Sequence, residues 1–135
     1  MKTIIRGGRV IDPASGRDEN ADVYIASGRM QAIGEAPPGF AADHEIDASG
    51  QVVCPGLVGM HVHLREPGQE WKEDIASGAR AAVAGGVTSV ACMANTRPVN
   101  DRRSVTEQIK STAARVGLAQ VHPIGAVTRD LAGET

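Results

Sequence analysis

The stretch LVGMHVHLREPGQEWKEDIASGARAAVAGGVTSVACM, Leu57 to Met93, decides the fold. Leu57 to Leu64 is a mostly apolar run of strand length. Glu70 to Ala84 places Trp71, Ile75, Ala79, Ala82 and Val83 on one helical face. Gly85-Gly86 ends that helix, because glycine tolerates the left-handed conformation found there. Val87 to Met93 is a continuous apolar strand, the pattern of a strand covered on both faces. Working downstream, a second helix is expected to start near Ser104, which has capping-box spacing to Glu107. Ile109, Ala113 and Val116 make its face and Gly117 stops it, after which Val121 to Val127 reads as a third strand. A helix or a loop is expected at Thr135. Strand and helix alternate at the spacing of right-handed βαβ units.

Working upstream, residues 1–55 read as all-β. Thr3-Ile4-Ile5 and Arg9-Val10-Ile11 are short apolar runs around Gly7-Gly8, and Asp12 to Gly16 is a turn cluster. Asp22 to Ile25 and Met30 to Gly34 flank Ser27-Gly28-Arg29 as a hairpin. A Pro- and Ala-rich loop surrounds Pro37-Pro38-Gly39, and Gln51 to Cys54 is a further strand closed by Pro55-Gly56. The chain is thus α/β in two parts: 1–55, a small β domain, and 56–135, three strands with two helices.

Composition narrows the classes. Of 135 residues 41% are apolar but only 2% aromatic, so the core must be built from Ala, Val, Ile and Leu. The net charge is -2, from 14 basic and 16 acidic residues without a basic patch, which argues against nucleic acid as a partner. The start, Met1 to Arg6, has no apolar stretch long enough for a signal peptide or a membrane span. Cys54 and Cys92 each sit in an apolar run and read as two buried free thiols in a reducing cytoplasm. The glycines match neither a phosphate-binding loop nor a dinucleotide fingerprint.

His61-Val62-His63 is the central chemical signal. Residues two apart on a strand share a face, with Cα atoms about 6.5 Å apart at roughly 3.3 Å per residue. Two such imidazoles can meet on one ion at about 2.0–2.1 Å each. The pair lies near the carboxyl end of the first parallel strand, where α/β barrels place their sites. Taken alone, it fits two ordinary polar or core histidines better than a metal site. Arg65, taken alone, reads as a solvated loop arginine, and Asn95 as a turn asparagine in Asn95-Thr96-Arg97-Pro98. His122 reads as a core or rim histidine and His44 as solvated in a polar loop. Glu66, Glu70, Glu73 and Asp74 read as a loop and a helix first turn, where negative charge suits the dipole.

The surroundings add to this. Pro55-Gly56-Leu57-Val58 precedes the pair and Leu64-Arg65-Glu66-Pro67-Gly68-Gln69 follows it; Ala84-Gly85-Gly86-Val87-Thr88 and Met93-Ala94-Asn95-Thr96 come later. Together these resemble the amidohydrolase superfamily. Within it, His61 to Gly68 followed by Asn95-Thr96 resembles the dihydroorotase family of the long bacterial type. The resemblance runs through nearly the whole chain and is strongest from Pro55 to Asp101. It implies the first part of a (β/α)8 barrel after a segment of a small β-sandwich, whose remaining strands come from the far end of the chain in that family. It implies reversible, zinc-dependent hydrolysis of the cyclic amide of dihydroorotate to N-carbamoyl-aspartate in pyrimidine biosynthesis, with one or two zinc ions.

On that resemblance His61 and His63 are metal ligands, and His63, Arg65 and Asn95 bind substrate. Arg65 offers a planar fork for the substrate carboxylate. It would lie on the side of His63 if the strand stays extended. Asn95 can donate to the same carboxylate and accept from a ring N–H. No catalytic residue is assigned, because the family's bridging ligand, two later histidines and late Asp have no counterpart in 1–135. A whole barrel needs about 250 residues. The expectation is therefore an amino-terminal fragment, inactive alone, weak in metal binding and exposing apolar strand edges. The parent is expected to be a cytoplasmic homo-oligomer, with aspartate transcarbamoylase as a possible partner. Two positions depart from the family: Gly59 replaces the usual Asp, expected to share the face of His61 and His63, and Ala94 replaces the usual Pro. The alternatives are a non-catalytic partner of aspartate transcarbamoylase, which commonly lacks the metal ligands, and an allantoinase- or hydantoinase-type amidase.

Overall fold

The computed structural model describes residues 1–133. The expectation at Thr135 lies outside the described residues. Contacts divide the chain into two compact units that meet in sequence at Pro55 and Gly56.

The first unit is a sheet of β1 (Lys2–Asp12), β2 (Arg17–Ala26), β3 (Arg29–Ile33), β4 (His44–Asp47) and β5 (Val52–Val53). The order is β3-β2-β1-β4, with β5 also pairing with β1. The two short runs expected around Gly7-Gly8 form one strand, β1, whose register against β2 shifts between Ile5 and Gly8. A bulge there absorbs the glycines without ending the strand. The expected hairpin is present: Ser27 (φ 53) and Gly28 (φ 70) both take positive φ, the twist that joins two antiparallel strands in two residues. His44 is not in a loop. It opens β4, which runs parallel to β1 with Thr3 opposite His44, although the residue is exposed as expected. Cys54 is also exposed rather than buried, while Cys92 is buried; both are free thiols.

The second unit is β6 (Leu57–Val62), α1 (Ile75–Ala84), β7 (Val87–Cys92), α2 (Arg103–Val116) and β8 (Gln120–Pro123), followed by a short 3-10 turn at Arg129–Leu131. The three strands are parallel in the order β6-β7-β8. Leu64, Ile75, Val90, Cys92, Val105, Ile109 and Ala113 form its core, with Val62, Val87 and Val121 packed against them. This is the aliphatic core that the composition requires. Val90 and Cys92 are buried, whereas Ser89 and Ala91 between them are only half-buried. Among the described residues β7 is thus well covered on one face, where both faces were expected to be.

Both helices begin differently from the reading of their spacing. α1 starts at Ile75, not Glu70, and Trp71 is 79% exposed in the turn before it. Three side chains fix the start. Asp74 accepts the Ser77 N–H at 2.7 Å, and Ser77 Oγ accepts the Asp74 N–H at 3.2 Å. Glu66 reaches across the loop to accept the Ile75 N–H at 3.0 Å. Helix amides lacking an intrahelical carbonyl are thereby satisfied. α2 begins at Arg103 behind Arg102, which makes no side-chain cap; Ser104 lies inside the helix and does not close a capping box with Glu107. Gly117 stops α2 in the left-handed conformation, as expected. β8 ends at Pro123, short of Val127, which is 96% exposed.

Candidate functional site

β6 and β7 are parallel, so their carboxyl ends share one edge of the sheet, tied by the Met93 N–H donating to the Val62 carbonyl at 2.9 Å. Val62 and Leu64 turn into the core. Alternation therefore turns His61 and His63, both exposed, to the opposite side. Their ring centroids are 5.3 Å apart at an interplanar angle of 62°. Two imidazoles that share a tetrahedral ion at about 2.0–2.1 Å have centroids roughly 5 Å apart. The observed centroid spacing meets that requirement.

Asn95 lies just beyond β7. His63 Nδ1 lies 2.9 Å from its Oδ1; an amide oxygen only accepts, so the hydrogen-bonded tautomer carries its proton on Nδ1 and keeps the lone pair on Nε2. The donor set therefore fits a borderline-soft ion such as zinc at two positions. Among the described residues no group of three or more His, Cys, Asp or Glu side chains gathers around an ion position. Cys92, at the end of β7, faces the core, and burial pushes its thiol pKa up, which makes it a poor ligand and a poor nucleophile.

Gly59 does not share the face of the histidines. The β6–β7 register shifts between Gly59 and Val62, which interrupts the alternation. A Cβ at Gly59 would lie 3.5 Å from Val62 and 3.6 Å from both Val87 and Val90. A side chain at this position would start among three valines, so the missing carboxylate is not a group removed from beside the imidazoles.

Arg65 also departs from the extended geometry expected of it. β6 ends at Val62, and Arg65 is half-buried with φ 63 in a tight loop. The Glu66 N–H donates to the Leu64 carbonyl at 2.7 Å and the Gln69 N–H to the Arg65 carbonyl at 3.1 Å. This loop is joined to the one that carries Asn95. The Arg97 N–H donates to the Pro67 carbonyl at 2.9 Å, and Gln69 Nε2 donates to the Asn95 carbonyl at 2.9 Å. Glu70 accepts the Gly68 N–H at 2.7 Å, a bond that holds its carboxyl pKa below the ordinary range. Glu66 caps α1, and Glu73 hydrogen-bonds Ser77. The acidic stretch thus lies in the loop and at the cap of α1, as structural groups, but none of it falls in the first turn of the helix where it was expected. His122 is exposed on β8, which rules out the core reading of it and leaves the rim one.

Two contributors carried no signal that reading along the chain could use. Gln69 sits in a polar loop, and its contact with Asn95 spans 26 residues. Asn100, only 1% exposed, donates to the Ile124 carbonyl at 2.8 Å and accepts from the Thr106 hydroxyl at 2.7 Å. Its own N–H donates to the Ala94 carbonyl at 3.0 Å. It anchors the turn behind Asn95 to α2 and to the segment after β8.

The chain is similar to known proteins. The chain is 53% identical to the dihydroorotase of Syntrophotalea carbinolica over 135 residues, all of this chain and 32% of that protein. It is 50% identical to the dihydroorotase of Geobacter metallireducens over 134 residues, 99% of this chain and 32% of that protein. The chain thus spans about a third of the length of these curated relatives. Among solved structures, an L-hydantoinase (dihydropyrimidinase) from Arthrobacter aurescens matches with a TM-score of 0.78 at 25% identity, over 92% of this chain and 27% of its own. A D-hydantoinase (dihydropyrimidinase) from Thermus sp. matches with a TM-score of 0.62 at 30% identity, over 82% of this chain and 24% of its own. The run β6-α1-β7-α2-β8 is accordingly the opening of a (β/α)8 barrel, and a small β unit precedes it in sequence. A family model described as dihydro-orotase-like matches residues 50–135, and the chain belongs to that family.

Proposed function

We propose that this chain supplies the first two metal ligands and the carboxylate-binding arm of a dihydroorotase, which reversibly opens the cyclic amide of dihydroorotate to N-carbamoyl-aspartate. The observation that carries the reading is the pairing of His61 and His63 at 5.3 Å, with His63 Nδ1 already engaged by Asn95. Relatives about half identical along the chain bear the name dihydroorotase, which supports the choice of substrate.

The residues divide the work by their chemistry. His61 and His63 would hold zinc, one ion or two, through imidazole nitrogen. When bound, zinc lowers the pKa of water and polarises a carbonyl oxygen. Arg65 presents a fork of donors that matches the substrate carboxylate. Asn95 keeps its Nδ2 donors for the same carboxylate while its Oδ1 serves His63. Free thiols at Cys54 and Cys92 accord with a cytoplasmic setting. Among the described residues no helix is long and apolar enough to cross a membrane.

A hydantoinase reading is favoured by the fold match to the Arthrobacter enzyme. Arg65 separates the two readings, since hydantoins need no carboxylate clamp. In the complete protein, Arg65→Met should raise KM for dihydroorotate about 10–100-fold, the loss of one charge-assisted bidentate contact. Turnover of an uncharged hydantoin at wild-type efficiency, with dihydroorotate hydrolysis unaffected by the substitution, would contradict the dihydroorotase assignment.

A further inference from the structure

We propose that Gln69 and Asn95 are positioning residues for His63, acting through two successive hydrogen bonds that select the metal-binding tautomer of its ring. The inference rests on the reading of His63 as a metal ligand, and it concerns what holds that ligand rather than what the ligand does.

The geometry runs in one direction. Gln69 Nε2 donates to the main-chain carbonyl of Asn95 at 2.9 Å, a bond between the loop after β6 and the loop after β7. That bond fixes the Asn95 backbone from which the side chain projects. Asn95 Oδ1 then accepts the His63 Nδ1–H at 2.9 Å. A neutral imidazole carries one N–H, so binding it at Nδ1 leaves Nε2 with the lone pair that a metal requires. Gln69 is itself held. Its Oε1 accepts from Lys72 Nζ at 3.3 Å, and its N–H donates to the Arg65 carbonyl at 3.1 Å. The loops are too close to slide, since a Cβ at Gly68 would stand 2.0 Å from the Arg97 carbonyl oxygen. Hydrogen bonds thus link Lys72 and Gln69 to the Asn95 backbone, and the Asn95 side chain carries that link on to His63 Nδ1. Partners of this kind change metal affinity by about 10–100-fold when removed.

Asn95 then acts through two different atoms, Oδ1 toward His63 and Nδ2 toward substrate, and the two roles respond differently to substitution. Asn95→Asp keeps an acceptor for His63 Nδ1 but places a negative charge where a carboxylate should bind. Asn95→Leu keeps the volume and removes both functions.

The test measures zinc affinity by chelator competition on the complete protein and its variants, alongside KM for dihydroorotate. Asn95→Leu should weaken zinc binding about 10–100-fold. Asn95→Asp should hold zinc as the wild type does or more tightly, while its KM rises. Gln69→Met should weaken zinc binding about 2–10-fold, the range of one neutral hydrogen bond. If Asn95→Leu binds zinc like the wild type, or Asn95→Asp loses it as fully as Asn95→Leu does, the acceptor role is wrong. Wild-type affinity in Gln69→Met would overturn the Gln69 half. Nitrogen NMR of His63 in the zinc-free wild type needs no variant to fold: the Nδ1–H tautomer is expected, and a dominant Nε2–H tautomer would overturn the proposal. Zinc affinity that follows this pattern in a protein unable to hydrolyse dihydroorotate would leave the positioning role standing and reject the substrate.

Discussion

Gly59 and Gly68 flank the histidine pair and should respond in opposite ways to a methyl group. At Gly68 φ is 94, and an added Cβ would approach the Arg97 carbonyl oxygen to 2.0 Å and its carbonyl carbon to 2.8 Å. Gly68→Ala should therefore destabilise by about 2 kcal/mol or more, from backbone strain plus overlap. At Gly59 the same atom would find ordinary contacts of 3.5–3.6 Å with three valines. Gly59→Ala should be neutral or stabilising by up to about 1 kcal/mol, because it restricts the unfolded chain. Thermal and urea unfolding of both variants checks the contrast. Asn100→Ala should cost about 2–3 kcal/mol in the same measurements, since it strips partners from the Ile124 carbonyl and the Thr106 hydroxyl. At this scale the pairing of His61 with His63 was legible, because a two-residue spacing on a strand puts side chains on one side. Asn95 was legible in part: its residue type offered an acceptor for a ring N–H. Gly59 was misread because the shift in register between Gly59 and Val62 breaks the alternation, and nothing in a run of apolar residues marks such a shift. Arg65 was misplaced because its positive φ turns the chain where extension was assumed.

At the scale of elements, the start of α1 depends on acidic side chains that come from outside the helix. Donation from the Ser77 N–H holds the Asp74 carboxyl pKa below its ordinary value, with help from the Ser77 hydroxyl. The sign follows from linkage. The folded carboxyl titrates lower than the unfolded one, so its stabilisation is complete above about pH 4–5 and is lost as pH falls through the lowered folded value. Asp74→Asn, which still caps without a charge, should keep the helix at neutral pH and flatten the acid side of the stability profile. Asp74→Ala should lower the unfolding midpoint at neutral pH as well. Unfolding followed by circular dichroism across that pH range checks both. The periodicity of Ile75, Ala79, Ala82 and Val83 identified the helix itself. It overshot at Trp71 because a turn with chance apolar spacing is indistinguishable from a helical turn until its caps are seen. Strand β4 was missed for a related reason: His44–Asp47 is exposed throughout, so no buried face imposes an alternation.

At the scale of the molecule, the alternation of apolar strand and amphipathic helix after Gly56 gives the barrel opening its order, and the all-β reading of 1–55 matches a sheet whose strands meet around β1. The parallel sheet brings the carboxyl ends of β6 and β7 to one edge, which is why residues 32 apart in sequence, His63 and Asn95, share a hydrogen bond. The aliphatic core fills the space between that sheet and the two helices. The opposite side carries the imidazoles. The function proposed for the complete protein depends on that edge binding zinc and on the bound metal acting on dihydroorotate. The most direct measurement is zinc content together with dihydroorotate hydrolysis for the complete protein and its His61→Ala and His63→Ala variants. Zinc and turnover in the wild type, with turnover falling by at least about 100-fold and zinc reduced in each variant, is the predicted result. Undiminished zinc and turnover in the variants, or a zinc-loaded wild type that leaves dihydroorotate intact, would contradict it.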